Sequence, residues 1–159
     1  MKFPTLAALL LLPSLAHGQD PTHPAQLVAK PLFNGKDLQG WTGDGYEVKD
    51  GTIVCTPSGK NLTTVGTYSD YAFDFEFKLP PGGNNGIGIH YPGTGDSAYT
   101  AMEIQVLDDT AEQYKDLLPT QYHGSIYKLV AAKRGFLKPV GEWNQERIQV
   151  NGSHVRVML

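Results

Sequence analysis

Apolar and polar side chains alternate with a period of two over much of this chain, and that period predicts strands. The clearest stretch is 71–79. There Phe73, Phe75, Phe77 and Leu79 alternate with Ala72, Asp74, Glu76 and Lys78, so one face is apolar and the other largely charged. A helix would scatter those rings around its circumference. Residues 86–91 repeat the design, with Ile87, Ile89 and Tyr91 against Gly86, Gly88 and His90. Residues 102–107 repeat it again, with Met102, Ile104 and Val106 against Glu103 and Gln105. Segments 46–49 and 52–56 flank Asp50-Gly51 and read as a hairpin. A short strand is expected at 61–65, and two more at 147–150 and 154–159 about the Asn151-Gly152 turn. One short helix is expected from the capping box Thr110-Ala111-Glu112-Gln113, ending before Pro119.

Composition agrees with this pattern. The 18 Gly and 11 Pro among 159 residues exceed the usual combined share of about 12% and favour many short strands over long helices. The length suits one domain. An all-β fold follows, with apolar faces packed against a partner sheet as in a sandwich or jelly roll. The polar faces carry Asp74, Glu76, His90, Glu103 and Gln105. They are either an ordinary solvated surface or, if gathered on one concave side, the floor of a site for a hydroxyl-rich ligand.

The start of the chain reads differently. Met1-Lys2, the apolar run 6–12, Pro13 and Ala16-His17-Gly18 form the pattern of a secretory signal peptide over 1–18. The run is too short to span a bilayer, so no transmembrane segment is expected and the place is secreted or periplasmic. Residues 19–30 read as a linker or arm, and 31–159 as the folded domain. The apolar ending at 155–159 reads as a strand cut short, so C-terminal strands of the domain are expected to be missing. A formal net charge of -3 offers no electrostatic case for nucleic acid or an anionic membrane. Cys55 is the one cysteine, which excludes an internal disulfide. Within Ile53-Val54-Cys55 it reads as a packing residue, and Trp41 reads as core.

Five segments then share an order and spacing. They are Leu32-Phe33-Asn34-Gly35 with Gly40-Trp41, Gly82-Gly83-Asn84-Asn85-Gly86-Ile87, Met102-Glu103-Ile104-Gln105-Val106-Leu107-Asp108, Gly124-Ser125-Ile126-Tyr127 and Gly141-Glu142-Trp143-Asn144. Over residues 30–159 the chain resembles the 3-keto-disaccharide hydrolase family. The resemblance implies a concanavalin-like jelly-roll sandwich of two antiparallel sheets. It also implies cleavage of glycosides whose sugar carries a ketone at C3. One departure is visible: the strand after the Asn-Gly segment often ends in Arg in that family and here ends in His90, so a cationic clamp does not carry over to that position.

A 3-keto group acidifies the hydrogen at C2. A base can remove it, an enolate forms, the C1 substituent leaves, and water adds back. This route needs a base near C2, a donor or cation on the keto oxygen, and an acid for the leaving group. Glu103 is the first candidate for base or ligand, and Gln105 could orient a hydroxyl. Asp108 either contacts substrate or caps the following turn. His90 and His123 are candidate proton shuttles or metal ligands. Tyr127, in a loop with Tyr114, Gln121 and Tyr122, could stack on a sugar ring. Glu76 is a further polar-face candidate, and Asn85 is a turn former or a contact. No organic cofactor is expected. A divalent metal on His90, Glu103 and His123 stays open, although no HxH or HExxH spacing is present. A two-carboxylate glycosidase fits poorly. Glu103 and Asp108 would lie on opposite faces and about 16 Å apart, against about 5.5 Å for a retaining pair. The resemblance implies a carbohydrate substrate as the partner. A non-catalytic carbohydrate-binding module of the same fold, or a structural domain of a secreted assembly, would fit the same pattern.

Overall fold

The computed structural model describes residues 29–95 and 97–159. The expected signal peptide and most of the arm lie outside the described residues. Nine strands run in the order β1 (Trp41–Gly43), β2 (Tyr46–Lys49), β3 (Thr52–Cys55), β4 (Leu62–Thr64), β5 (Tyr71–Phe77), β6 (Asn84–Ile89), β7 (Met102–Leu107), β8 (Asn144–Asn151) and β9 (His154–Met158) among the described residues. Every pairing between them is antiparallel. A four-residue helix α1 (Ser97–Thr100) precedes β7. Two 3-10 turns, Glu112–Tyr114 and Pro119–Gln121, lie between β7 and β8.

β5, β8 and β9 form one sheet in the order β5-β8-β9, and β6 pairs with β7 in another. Phe75, Phe77 and Leu79 meet Ile89, Ile104, Val106, Ile148 and Val150 in a single buried cluster. That cluster draws on both sheets, so they face one another across one apolar layer. The result is a jelly-roll sandwich. Phe75 and Phe77 are almost fully buried. Each contributes roughly 1.5–3 kcal/mol of transfer free energy to the layer.

The Asp50-Gly51 turn joins β2 to β3 as the sequence predicts. Both residues have positive φ, 50° and 68°, the signature of a two-residue hairpin turn matched to strand twist.

Several expectations are corrected. Because Phe75 and Phe77 point into the layer, Asp74 and Glu76 point out of the opposite side of the sandwich from Glu103 and Gln105. The polar faces therefore do not gather around one pocket. Asp74 is held by Arg147, with Oδ1 2.6 Å from Nε and Oδ2 2.8 Å from Nη2, and Glu76 accepts from Gln145 Nε2 at 3.1 Å. These are cross-strand neighbours in the β5–β8 register. Asn84 and Asn85 belong to β6 rather than to a turn. The turn lies earlier, where Gly83 N–H donates to Pro80 O at 2.9 Å. The capping box does not form: Thr110 binds Asp108, and only a 3-10 turn follows. Cys55 is exposed at the end of β3: alternation puts it on the side of the buried Ile53, but there the sheet has ended and its sulfur lies against the 56–59 turn instead of the core. β8 begins at Asn144, three residues before the apolar pattern starts, because Asn144 and Glu146 also face inward.

Candidate functional site

The outer face of the β6–β7 pair is built around Glu103. In its register Gly86 lies opposite Gln105 and Gly88 opposite Glu103. β6 thus offers this face a floor without side chains. Glu103 lies diagonally across it. A Cβ added at Gly86 would fall 2.0 Å from Glu103 Oε1 and 2.5 Å from both Cγ and Cδ. Glycine at 86 is therefore a condition for the observed Glu103 conformation.

The other edge of β7 is lined by residues 124–127. Tyr127 N–H donates to Glu103 O at 2.8 Å, Gln105 N–H donates to Ser125 O at 3.0 Å, and Ile104 bridges Ile126 between them. Directly opposed residues share a face, so Tyr127 stands beside Glu103 while Ile126 joins the core. The Tyr127 hydroxyl accepts from Gln121 Nε2 at 3.0 Å. Gln105 is buried, and its Oε1 has no hydrogen-bond partner among the described residues. Lys128 follows with φ 60°, and its ammonium lies 5.2 Å from the ring centroids of both Tyr127 and Tyr99. The face so defined combines a carboxylate, a buried amide, a phenol, an ammonium and the exposed Tyr99 ring.

The remaining sequence candidates lie elsewhere. Asn85 is opposite Val106, on the inner side of the pair, and its side chain bonds the Tyr46 phenol, which burial pushes up. Glu76 is on the far side of the sandwich. Asp108 is buried and fully engaged. Oδ2 accepts from Gly82 N–H at 2.8 Å, and Oδ1 accepts from Thr110 N–H at 3.0 Å and from the Thr110 hydroxyl at 2.6 Å. Burial pushes its carboxyl up, but the Thr110 hydroxyl and the Gly82 and Thr110 amides outweigh that and hold it below the ordinary value. It staples two turns and has no position on the Glu103 face. His90 is exposed just past β6, with φ 53°, so strand alternation no longer fixes its direction. Trp143 is half-buried beneath the Lys78 ammonium, 5.0 Å from its ring, and the half-buried Trp41 indole donates to Leu32 O at 2.7 Å.

His123 points into the sandwich. Its ring lies 5.1 Å from that of Phe77, Nδ1 accepts from Leu107 N–H at 3.4 Å, and Nε2 is 3.3 Å from Glu146 Oε2. The Glu146 side chain has no solvent exposure and sits opposite Phe75 in the register. With Nδ1 accepting, a neutral ring carries its proton on Nε2, facing that carboxylate. Sequence reading missed Glu146. The available signal was alternation in 144–150, where Asn144 and Glu146 continue the inward series of Ile148 and Val150. Among the described residues no three His, Cys, Asp or Glu side chains are placed to hold a metal ion. The convergence of His90, Glu103 and His123 considered from sequence does not form.

Two packed antiparallel sheets with a polar outer face define a jelly roll of the concanavalin-like kind. The chain belongs to the 3-keto-alpha-glucoside-1,2-lyase-like domain family, whose model matches residues 28–159. It is 29% identical over 150 residues to a 3-keto-disaccharide hydrolase of Bacteroides thetaiotaomicron, covering 75% of this chain and 51% of that protein. A solved Parabacteroides distasonis protein, named as a candidate glycosyl hydrolase, superposes with a TM-score of 0.73 at 30% identity over 80% of this chain and 66% of its own. A second from the same organism gives 0.69 at 27% identity with the same coverage. The chain thus spans about half the length of the curated relative and about two thirds of the solved ones. Among the described residues no helix is long and apolar enough to cross a membrane.

Proposed function

We propose that this domain cleaves glycosides oxidised to a ketone at C3, with Glu103 as the base that removes the C2 proton. The observation that carries this reading is the placement of Glu103 on a glycine floor between Gln105 and Tyr127. The C2–H electron pair becomes the C2=C3 bond of an enolate; the C3 carbonyl then re-forms as that pair shifts to C1=C2 and the C1–O pair leaves with the departing oxygen. Water later adds across C1=C2, its oxygen to C1 and a proton to C2. Gln105 lies buried beneath this face with its amide oxygen unpaired among the described residues, and Tyr127 offers a ring and a phenol beside Glu103. His90 follows Ile89, the partner of Met102, and is the imidazole at that end of β7 for the leaving oxygen.

The distribution of carboxylates favours elimination over a two-carboxylate displacement. Among the described residues, Asp108 is spent on backbone and Thr110, Asp109 accepts from His123 N–H and Arg134, Glu146 is inside the sandwich, and Asp74 and Glu76 are on its far side. Each of these carboxylates is engaged elsewhere or lies away from the Glu103 face, whereas a retaining glycosidase requires a second carboxylate about 5.5 Å from the first. Turnover of a 3-keto-glucoside by the full-length protein tests the reading. Glu103→Gln is expected to lower kcat by about 10²–10⁴-fold with an unchanged melting profile. Full activity in that variant would remove Glu103 as the base. Sugar binding with no turnover by the native chain would make it a binding module.

A further inference from the structure

We propose that Lys128 is the cation that receives the oxyanion at C3, an inference that rests on Glu103 acting as the C2 base. When the C2 proton passes to Glu103, the C–H pair forms the C2=C3 bond and the carbonyl π pair moves onto the C3 oxygen. That oxygen gains a full negative charge, and a fixed positive group beside it lowers the barrier. Sequence alternation pointed to His90 for the polar groups of this face and gave no cation there.

The structure supplies one from the other edge of β7. Tyr127 is bonded through its N–H to the Glu103 carbonyl, so their side chains stand side by side, about 5 Å apart at Cβ. Lys128 is the next residue, and its φ of 60° belongs to the left-handed region that favours glycine. That conformation is fixed by its neighbours. Lys128 N–H donates to Thr120 O at 2.9 Å, and Leu129 and Val130 N–H both donate to Ile126 O, at 2.8 and 2.9 Å. The turn carries the side chain back toward the Tyr127 ring, with Tyr99 at an equal distance of 5.2 Å. Two aromatic faces hold an ammonium in place by quadrupole attraction without neutralising it. Three cations are paired with carboxylates: Lys115 with Glu112, Arg134 with Asp109 and Arg147 with Asp74. Lys128 has no such partner among the described residues, so its charge is available to a ligand.

Two variants of the full-length protein and one ligand pair test this. Lys128→Met is expected to lower kcat on a 3-keto-glucoside by about 100-fold or more, with KM changed only a few-fold. Lys128→Arg, which keeps a cation between the rings, is expected to retain most of the activity. D-glucose 3-sulfate carries a fixed negative charge at C3, and its binding is read by titration calorimetry without turnover. The native protein is expected to bind it about 10-fold more tightly than D-glucose, a margin of the size electrostatic coupling gives. Lys128→Met should erase that preference and Lys128→Arg should keep it. A native protein with no preference, or a Met variant that keeps either the preference or native kcat, overturns the assignment. The preference does not depend on Glu103, so a fully active Glu103→Gln protein would sink the base while leaving Lys128 to be judged by binding.

Discussion

At the scale of single residues the site depends on what is missing from β6. Gly86 has no side chain to fill the space that the Glu103 carboxylate occupies. Gly86→Ala would place a methyl against Cγ, Cδ and Oε1 of Glu103; the three nearest atoms all belong to that side chain, so it must rotate away as a whole while the fold can survive. Alanine is also a better strand-interior residue than glycine by about 0.5–1 kcal/mol. The expected result is a melting temperature at or slightly above native and a kcat lower by about 10- to 100-fold, since a misplacement of about 1 Å costs up to that much. Steady-state kinetics and a thermal melt on the same preparation check it. Native turnover in the alanine variant would mean that the observed Glu103 conformation does not matter. His90 and Lys128 share another feature, a left-handed backbone in non-glycine residues, at opposite edges of the β6–β7 pair. The alternating pattern that exposed Glu103 carries no information about such positions, because it presumes extended backbone on both sides.

At the scale of elements, Asp108 ties the end of β7 to the turn that leads into β6. Its carboxylate satisfies the amides of Gly82 and Thr110 and the Thr110 hydroxyl. These bonds favour the charged form and hold its folded-state pKa below the ordinary 3.8. A depressed folded value means that the stabilisation is complete above the unfolded value and is lost as pH falls through the folded one. Asp108→Asn removes the charge-assisted bonds and should cost about 1.5–3 kcal/mol at pH 7. The gap between variant and native should close as pH drops below about 4. Urea unfolding at pH 7 and at pH 3 measures both terms. A gap that stays constant with pH would show that the amides do not read the charge. The sequence left Asp108 between capping and binding. Only its hydrogen bonds decide for capping, and they come from residues 26 positions before it and 2 after.

At the scale of the whole molecule, His123 and Glu146 join the 122–127 segment to β8 across the sandwich interior. Both side chains are almost completely buried, and the Glu146 oxygens have no hydrogen-bond partner in the structure among the described residues beyond the 3.3 Å approach of His123 Nε2. Removing one member leaves the other polar and unmatched inside an apolar layer. Glu146→Leu or His123→Phe alone should therefore cost roughly 3–5 kcal/mol. The double variant should recover most of that loss, because two apolar residues need no partners, less the contribution of the long 3.4 Å bond that His123 Nδ1 accepts from Leu107 N–H. A double-mutant cycle from denaturant unfolding separates these outcomes. Strict additivity of the two losses would mean that the groups do not interact. Turnover is a second readout: neither residue lies on the Glu103 face, so a stable double variant should keep native kcat.

The amino-acid order alone determined the strands of the sandwich, the Asp50-Gly51 and Asn151-Gly152 turns, the inward set Phe75, Phe77, Ile104 and Val106, and Glu103 with Gln105 on a common face. Each follows from side-chain direction along one extended segment, which is a local property. Tertiary structure decided which strand joined which sheet. It thereby sent Asp74 and Glu76 to one side of the molecule and Glu103 to the other, brought Tyr127 and Lys128 to the free edge of β7, and turned His123 inward onto Glu146. Alternation gives every strand two faces but cannot say which faces of different strands coincide, because that is fixed by pairing between residues far apart in the chain.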